Sequence, residues 1–323
     1  MPTWGKVLLY LAITALIASV FYNIWLGTLL AALTAGPGQE VYAPGDKDHT
    51  ILVLPIEGNI TNDTDAFVRR ALRFVREQEP KALILRVDSP GGSPFACDRI
   101  ANKLGRLRSD LEIPIVASYG GYAASGGYYV SAGADRILAE PNTITGSIGV
   151  VTVFLNIKGL LEDRLSIKPH VEVARESPRK LEGTHPFRYD EEDQEAMLNL
   201  LDHLHESFVR VVRDGRGEAI DDDDFADVTS GAAFTANAAR QLGLIDDIGY
   251  LDDAVKVAKE LAEIPEEIDA HVVFIRPPRT LLGLLFGASM EQEKPASFDG
   301  EKVREWMLEA TGMRFEYRWY PGH

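Results

Sequence analysis

At 323 residues, the chain is long enough to bury a substantial core in one large domain or in two small ones. Its hydrophobic content of 46% and charged content of 25% are those of an ordinary folded protein. The formal net charge of −16 argues against a nucleic-acid partner, because so acidic a surface repels phosphate backbones.

The N-terminal segment, residues 1–39, contains a single charged side chain, Lys6. Its apolar stretch is much longer than the roughly 20 residues that span a bilayer, so it predicts a transmembrane anchor. A cleaved signal peptide is the alternative, although the apolar part of such a peptide is typically about 7 to 15 residues long. Because Lys6 precedes the helix and no positive cluster follows it, the positive-inside tendency places the rest of the chain outside the cytoplasm. The segment therefore predicts a single-pass protein of the cell membrane.

A linker is predicted at residues 40–49, and strands then alternate with helices. Short apolar runs indicate the strands, and apolar residues at helical spacing indicate the helices. The predicted elements are strands at 50–60, 82–88 and 113–119 and helices at 64–78 and 94–107. Such alternation predicts βαβ units around a parallel sheet, and hence an α/β fold.

The second half of the chain predicts a short strand at 136–140, a long amphipathic helix at 190–213, and a strand and a helix within 228–262. The remaining residues, 266–323, form a C-terminal extension. Its apolar stretch at 276–287 is too short to span a membrane, which favours packing on the core or on another subunit.

Two glycine-rich turns follow predicted strands, at 88–92 and at 120–127. In parallel sheets, functional groups gather beyond the carboxyl ends of the strands. Ser125, in the second turn, lies between small residues at a strand-to-helix junction, a position that suits a nucleophile. A helix-capping serine is an equally common explanation of the same pattern. Gly91 and Gly92, in the first turn, could turn their amides toward a carbonyl oxygen, or could serve the turn geometry alone.

A serine nucleophile needs a general base. The candidates after Ser125 are four histidines and three lysines: His170, His185, His203, His205, Lys158, Lys168 and Lys180. A lysine can serve only where burial lowers its pKa, and most lysines are surface residues.

Metal chemistry is not expected. The single cysteine, Cys97, excludes an intramolecular disulfide and a cysteine-based metal cluster. The histidines lack the HExxH spacing, and His203 and His205 point to different sides of a helix. We therefore expect neither a metal nor another cofactor.

Five segments in order resemble the signal peptide peptidase A family, the S49 serine peptidases, over residues 50–265. They are VDSPGG (87–92), YAASGGYYVSAGAD (122–135), TGSIGVV (145–151), RKLEGTHPFR (179–188) and GLIDDIG (243–249). The resemblance implies a peptidase domain at 50–265 with a fold related to the Clp protease and crotonase enzymes. It further implies a homo-oligomeric ring and, as substrates, remnant signal peptides and similar short apolar peptides.

The resemblance also implies a role for each site residue. Ser125 would be the nucleophile and Lys180 the general base of a Ser-Lys dyad. Gly92 would donate to the oxyanion with Gly126 as a second donor, and Ser147 would hold the lysine. The segment around Lys180 departs from the family pattern in its neighbours and in one extra residue before Pro186, so Lys168 is the fallback base.

Two other functions remain open. The chain could be a catalytically inactive membrane-tethered scaffold of the same fold. It could also be an α/β-hydrolase with a Ser-His-Asp triad, since AASGG approximates the nucleophile-elbow pattern G-x-S-x-G. That triad would need a late histidine, and beyond residue 205 the chain has only His271 and His323.

Overall fold

The structure, a computed structural model, describes residues 3–34, 37–153, 156–180, 189–277 and 315–318. It begins with helix α1 (Thr3–Thr34). Within α1, the window Tyr10–Gly27 has a mean hydropathy of 1.6, and none of it is buried. By length and composition, α1 could cross a membrane, and the prediction of an N-terminal apolar helix is confirmed.

Most of the described chain after α1 forms an α/β domain around one sheet. The described strands are β1 (Gly38–Ala43), β2 (Asp46–Ile60), β3 (Ala82–Gly92), β4 (Ile115–Ala124), β5 (Arg136–Ala139), β6 (Ile144–Gly146), β7 (Val151–Thr152), β8 (Ala233–Thr235), β9 (Asp247–Ile248), β10 (Ala270–Arg276) and β11 (Phe315–Arg318). The main path of the sheet is β1-β10-β2-β3-β4-β5-β9, and its strands are parallel from β10 to β9. The α/β prediction with a parallel central sheet is confirmed.

Helices cover the two faces of this sheet. They are α2 (Asn62–Gln78), α3 (Pro94–Leu111), α4 (Gly126–Ser131), α5 (Glu191–Arg216), α6 (Asp222–Val228), α7 (Ala236–Gln241) and α8 (Leu251–Leu261). Alternate residues of β2 serve opposite faces, as the two-residue period of a strand requires. Leu52 and Leu54 enter the core beneath α2, α3 and α4, whereas Ile51 and Val53 enter a second core beneath α8. A sheet buried on both faces explains the nearly continuous apolar runs of its strands.

The sheet extends into the segments predicted as linker and extension. Residues 40–49 lie largely in β1 and β2, and β1 pairs antiparallel with β10 at residues 270–276. β10 in turn pairs parallel with β2. These pairings join positions more than 200 residues apart, and short local patterns do not reveal such partners.

Both predicted glycine-rich turns are, in their larger part, continuations of strands. β3 runs through Gly92 and β4 runs through Ala124. Register shifts between Val87 and Ser89 interrupt the ladder, after which Ser89 pairs with Ala123. The ends of β3 and β4 therefore lie side by side, and the residue after β4 is Ser125.

Candidate active site

Ser125 occupies a strained turn between β4 and α4. Its backbone has φ 53° and ψ −116°, and a positive φ is uncommon for a residue with a side chain. The Ser125 amide donates to the Gly146 carbonyl oxygen at 2.7 Å, and the Ser125 carbonyl oxygen accepts from the Tyr129 amide at 2.9 Å. Strained backbone held in place by surrounding bonds is a frequent feature of active sites.

The Ser125 hydroxyl is buried and makes no hydrogen bond with any described residue. The residue is only 1% exposed, and its Oγ belongs to the buried polar atoms that lack a partner there. A buried unsatisfied hydroxyl destabilises the fold by about 1–3 kcal/mol, so its presence needs a reason. As the N-terminal cap of α4, Ser125 makes no capping bond through its side chain. The helix-cap explanation of this serine therefore fails.

Two glycines place backbone amides beside Ser125. A Cβ atom on Gly126 would lie 3.1 Å from the Gly92 amide nitrogen and 2.6 Å from Cys97 Sγ. Gly92 is equally confined, since a Cβ there would lie 2.2 Å from the Ile60 carbonyl oxygen. The structure thus brings Ser125, Gly92 and Gly126 together. A side chain at Gly126 would intrude on the space between α4 and β3, and a side chain at Gly92 would clash with β2.

Ser89 fixes the Gly91-Gly92 turn and was not singled out by the sequence. Its hydroxyl is fully buried, donates to the Gly58 carbonyl oxygen at 2.6 Å and accepts from the Gly91 amide at 3.1 Å. Gly91 itself has a φ of 115°, which favours glycine. Ser89 therefore links β2 to the turn that carries the Gly92 amide. The only sequence signal was a serine directly before Pro-Gly-Gly, which reads as an ordinary turn residue.

Helix α4 is anchored by buried tyrosines. The Tyr128 hydroxyl donates to the Leu244 carbonyl oxygen at 2.8 Å, and the hydroxyls of Tyr119 and Ser131 lie 2.8 Å apart. Burial raises the pKa of Tyr128 well above its usual value, so it stays a neutral hydrogen-bond donor. These bonds hold α4, and with it Ser125, on the core.

Ser147 lies directly after the residue that holds the Ser125 amide. It is 8% exposed, has a φ of 50°, and donates its amide to the Ala232 carbonyl oxygen at 2.7 Å. Two residues earlier, the Thr145 hydroxyl donates to the Ala123 carbonyl oxygen at 2.7 Å. The segment 144–147 is therefore tied both to the end of β4 and to Ser125 itself.

Lys180 lies in a surface segment, residues 156–180, in which no side chain is buried. Lys180 is exposed, and its amide donates to the Ser177 carbonyl oxygen at 3.2 Å. Its amine is not hydrogen-bonded to Ser125, whose Oγ has no described partner. Lys168 is also exposed, so the structure does not single out either lysine. Gly183, His185 and Pro186, which belong to the same motif, lie outside the described residues.

Cys97 is close to the site without being a competing nucleophile. It is fully buried next to Gly126, and burial raises the pKa of its thiol well above the usual range. The reactive form of cysteine is the thiolate, which this environment suppresses.

Among the described residues, no three or more His, Cys, Asp or Glu side chains form a group that could hold a metal ion.

Comparisons with known proteins show the family to which the chain is similar. Residues 108–265 match the model of peptidase family S49, and residues 50–158 match the model of the NfeD1b N-terminal domain. A Synechocystis protein described as a protease is 34% identical over 245 residues, covering 75% of this chain and 85% of that protein. A protein of Enterococcus faecium, described as a signal peptide peptidase, is 30% identical over 286 residues, covering 84% and 77%. The chloroplastic serine protease SPPA of Arabidopsis thaliana is 32% identical over 232 residues, or 70% of this chain and 33% of the plant protein.

Proposed function

This chain belongs to peptidase family S49 and is a serine peptidase; from that premise we propose that it is a membrane-anchored endopeptidase with a Ser125-Lys180 dyad. The observation that carries the proposal is the buried Ser125 hydroxyl, which has no hydrogen-bond partner among the described residues and lies on a strained turn beside the Gly92 and Gly126 backbone. Such a hydroxyl is poised for a base to take its proton. Its position beside two glycine amides suits the attack on a carbonyl carbon.

In the proposed reaction, the neutral Lys180 amine takes the Ser125 proton while Oγ bonds to the carbonyl carbon of the peptide. The carbonyl electron pair moves onto oxygen, and the Gly92 amide, with Gly126 as second donor, stabilises that negative charge. When the tetrahedral intermediate collapses, the C–N bond breaks and the lysine ammonium gives its proton to the leaving amine. Water then attacks the acyl-enzyme with the same lysine as base, which frees Ser125.

Lys180 needs a less hydrated environment to work as a base. A lysine is neutral near pH 7 only when desolvation disfavours its charged form. The segment 156–180 exposes large apolar side chains, with Leu160, Leu165 and Ile167 each more than half exposed. Exposed apolar side chains of this density favour a covering surface. We infer that this surface comes from a second copy of the chain in a homo-oligomeric ring, and that Ser147 holds the lysine after the segment closes.

The proposed substrates are remnant signal peptides and similar short apolar peptides. Helix α1 would keep the site near the bilayer from which such peptides are released, with the peptidase domain on the extracytoplasmic side. A relative described as a signal peptide peptidase supports this substrate class.

The test is covalent labelling and peptide hydrolysis by the full chain in detergent. A fluorophosphonate probe should label the wild type and not Ser125→Ala, which should lose peptide hydrolysis by about 10⁴-fold or more. Ser93→Ala is the matched control, because Ser93 follows Gly92 directly but makes no capping bond through its side chain. Labelling that survives in Ser125→Ala would sink the assignment.

The two alternative functions are separated by the same experiment. A wild type that is neither labelled nor active would indicate the inactive scaffold. The Ser-His-Asp triad has little support, because His271 lies in β10, which β2 and β3 separate from β4. His323 lies outside the described residues.

A further inference from the structure

Helices α2 and α3 together carry a basic surface on an acidic chain. Each helix has three basic side chains at positions i, i+4 and i+7, a spacing that places them along one side of a helix. They are Arg69, Arg73 and Arg76 on α2 and Arg99, Lys103 and Arg106 on α3. The two helices pack against each other, and their ion pairs cross between the two rows. The six side chains therefore form one surface, the arginine face.

Half of the arginine face is unpaired within the described part of the chain. The ion pairs join Arg76 to Asp110 at 2.8 Å, and Asp65 to Arg99 at 3.2 Å and to Lys103. Arg69, Arg73 and Arg106 are exposed and have no ion pair or hydrogen bond with a described residue. Like charges four residues apart, such as Arg69 and Arg73, destabilise a helix. An anionic partner would remove that repulsion.

Helix α6 carries the opposite charge on the other flank of the domain. Five aspartates lie within residues 221–227, and none of them has an ion pair with a side chain that the structure describes. α2 packs on β2, whereas α6 leads into β8, which pairs with β6 on the far side of β4. Both helices contribute to the same core. The basic and acidic surfaces therefore lie on opposite flanks of one face of the domain.

The N-terminal helix gives every copy of the chain the same orientation. α1 ends at Thr34, and β1 begins at Gly38, which pairs with Arg276 at the carboxyl end of β10. If α1 spans the membrane, all copies turn the same edge of the sheet toward the bilayer and meet flank to flank. Identical copies in one orientation close a ring through contacts in which two different surfaces of the chain meet.

We propose that the arginine face is a docking surface for a second copy of the chain, and that α6 of that copy is its partner. This assignment rests on the homo-oligomeric ring proposed above and names the two surfaces that meet in it. The dimensions agree, since the row from Arg69 to Arg76 rises about 10 Å along its helix and residues 221–227 rise about 9 Å.

Anionic lipid fits the arginine face less well than a second copy does. β2 and β10 are parallel, so α2 begins at the same edge of the sheet at which α1 joins it. The first turn of α2, nearest that edge, carries the acids Asp63 and Asp65. Arg69 lies about 10 Å further along the helix. The acids would thus face the headgroups before the arginines do.

The test reverses the charge of each surface in the full chain and measures assembly by sedimentation in an uncharged detergent. Arg69→Glu with Arg73→Glu should raise the dissociation constant of the subunits about 100-fold, because acids then face acids across the interface. Asp222→Arg with Asp223→Arg should have the same effect from the other side.

A mixing experiment shows whether the two surfaces meet each other. Neither reversed variant should assemble alone, but an equimolar mixture should assemble as the wild type does. In the mixture, a reversed α6 meets a reversed α2, and the two unchanged surfaces meet at the next contact. Assembly of the mixture also shows that both variants are folded. The matched control, Glu266→Arg with Glu267→Arg, makes the same change of charge on exposed residues between α8 and β10 and should assemble normally.

Three results would overturn the proposal. They are an α2 variant that assembles as well as the wild type, a mixture that stays monomeric, and a control that dissociates as strongly as the two reversed variants. If the α2 variant assembles normally and loses activity only in vesicles of phosphatidylglycerol, the partner of the arginine face is lipid, and the proposal is wrong.

Failure of the docking surfaces is distinct from failure of the proposed function. If the wild type is a monomer, the ring and the docking surfaces fail together, while labelling of Ser125 still decides the peptidase assignment. If assembly follows the charges but hydrolysis does not, the docking surfaces stand, and the segment 156–180 does not need a second copy to cover it.

Discussion

The two halves of the proposed dyad lie in regions of opposite character. Ser125 is 1% exposed, and its turn is bonded to β6 and α4, whose tyrosines reach into the core. Lys180 lies in the segment 156–180, which contributes no buried side chain. In the proposed mechanism, the difference means that the sheet alone would preorganise the nucleophile and the oxyanion donors, whereas the base would depend on packing from a second chain.

After the loss of the nucleophile itself, the largest expected effect comes from the loss of the base. Lys180→Ala should lower kcat by about 10³-fold, within the range for loss of a general base, because no other group would take the Ser125 proton. The melting temperature should hardly change, since the exposed Lys180 side chain contributes little to the fold. Steady-state peptide hydrolysis and thermal unfolding measure the two quantities.

Lys168→Ala is the matched control for this prediction. Lys168 is exposed in the same segment, and its replacement should leave kcat within a few-fold of the wild type. If Lys168→Ala is the inactive variant and Lys180→Ala is active, the base is Lys168, the alternative that the sequence left open.

The next largest expected difference between the two regions is in how a substitution changes the free energy of unfolding. Leu85 is 1% exposed in β3, and Leu165 is 54% exposed in the surface segment. Leu85→Ala should lower the free energy of unfolding by about 2–5 kcal/mol, because it leaves a cavity in the core. Leu165→Ala should change it by less than about 0.5 kcal/mol in the monomer. Chemical denaturation of both variants measures the difference.

The Leu165 variant also tests the inferred assembly. If a second chain covers the segment 156–180, Leu165→Asp should weaken oligomers in sedimentation and reduce kcat through the base. Unchanged assembly and activity in that variant would contradict the inferred covering surface.

The nucleophile region should respond to a single methyl group at Gly126. In Gly126→Ala, the new Cβ would approach Cys97 Sγ to 2.6 Å and the Gly92 amide nitrogen to 3.1 Å. The displacement should reduce kcat/KM by about 100-fold, the size of effect that a 1 Å misplacement can have in an active site. Hydrolysis of a single peptide under first-order conditions gives this ratio.

Adding Cys97→Ala to that variant separates packing from catalysis. Without Sγ the closest contact disappears, so the melting temperature should recover. The methyl group still lies against the Gly92 amide, so most of the rate should stay lost. Full recovery of the rate would mean that Gly126→Ala acts through core packing alone.

How much of the fold and of the candidate site can be predicted from the sequence depends on how far apart the interacting residues lie in the chain. The strands and helices predicted between residues 50 and 119 follow from periodicity, because their apolar residues face two adjacent cores. The pairing of β1 with β10 does not, since it joins distant segments with no local signal. Ser125 and Gly92 came from turn chemistry and resemblance. Ser89 was missed because its two hydrogen bonds depend on how β2 and β3 align.

The smallest expected effect on catalysis, and the most specific, is that of replacing Ser89, which holds the Gly91-Gly92 turn. Ser89→Ala removes the bonds to the Gly58 carbonyl oxygen and the Gly91 amide, and it leaves the Gly91-Gly92 turn less firmly held. Loss of an oxyanion donor typically reduces kcat by about 10²–10³-fold, so loosening one should have a smaller effect, about tenfold, with KM little changed.

Thr143→Ala provides the control, because Thr143 is 1% exposed and its hydroxyl donates to the Gly120 carbonyl oxygen at 2.6 Å, away from that turn. Ser89→Ala loses two buried hydrogen bonds and Thr143→Ala loses one, so the two variants should lose about 2 and about 1 kcal/mol of stability. Only Ser89→Ala should also lose kcat if its bonds act by positioning the Gly92 amide. Equal kcat values in the two variants would reduce Ser89 to a structural residue, and the proposed oxyanion turn would then depend on its glycines alone.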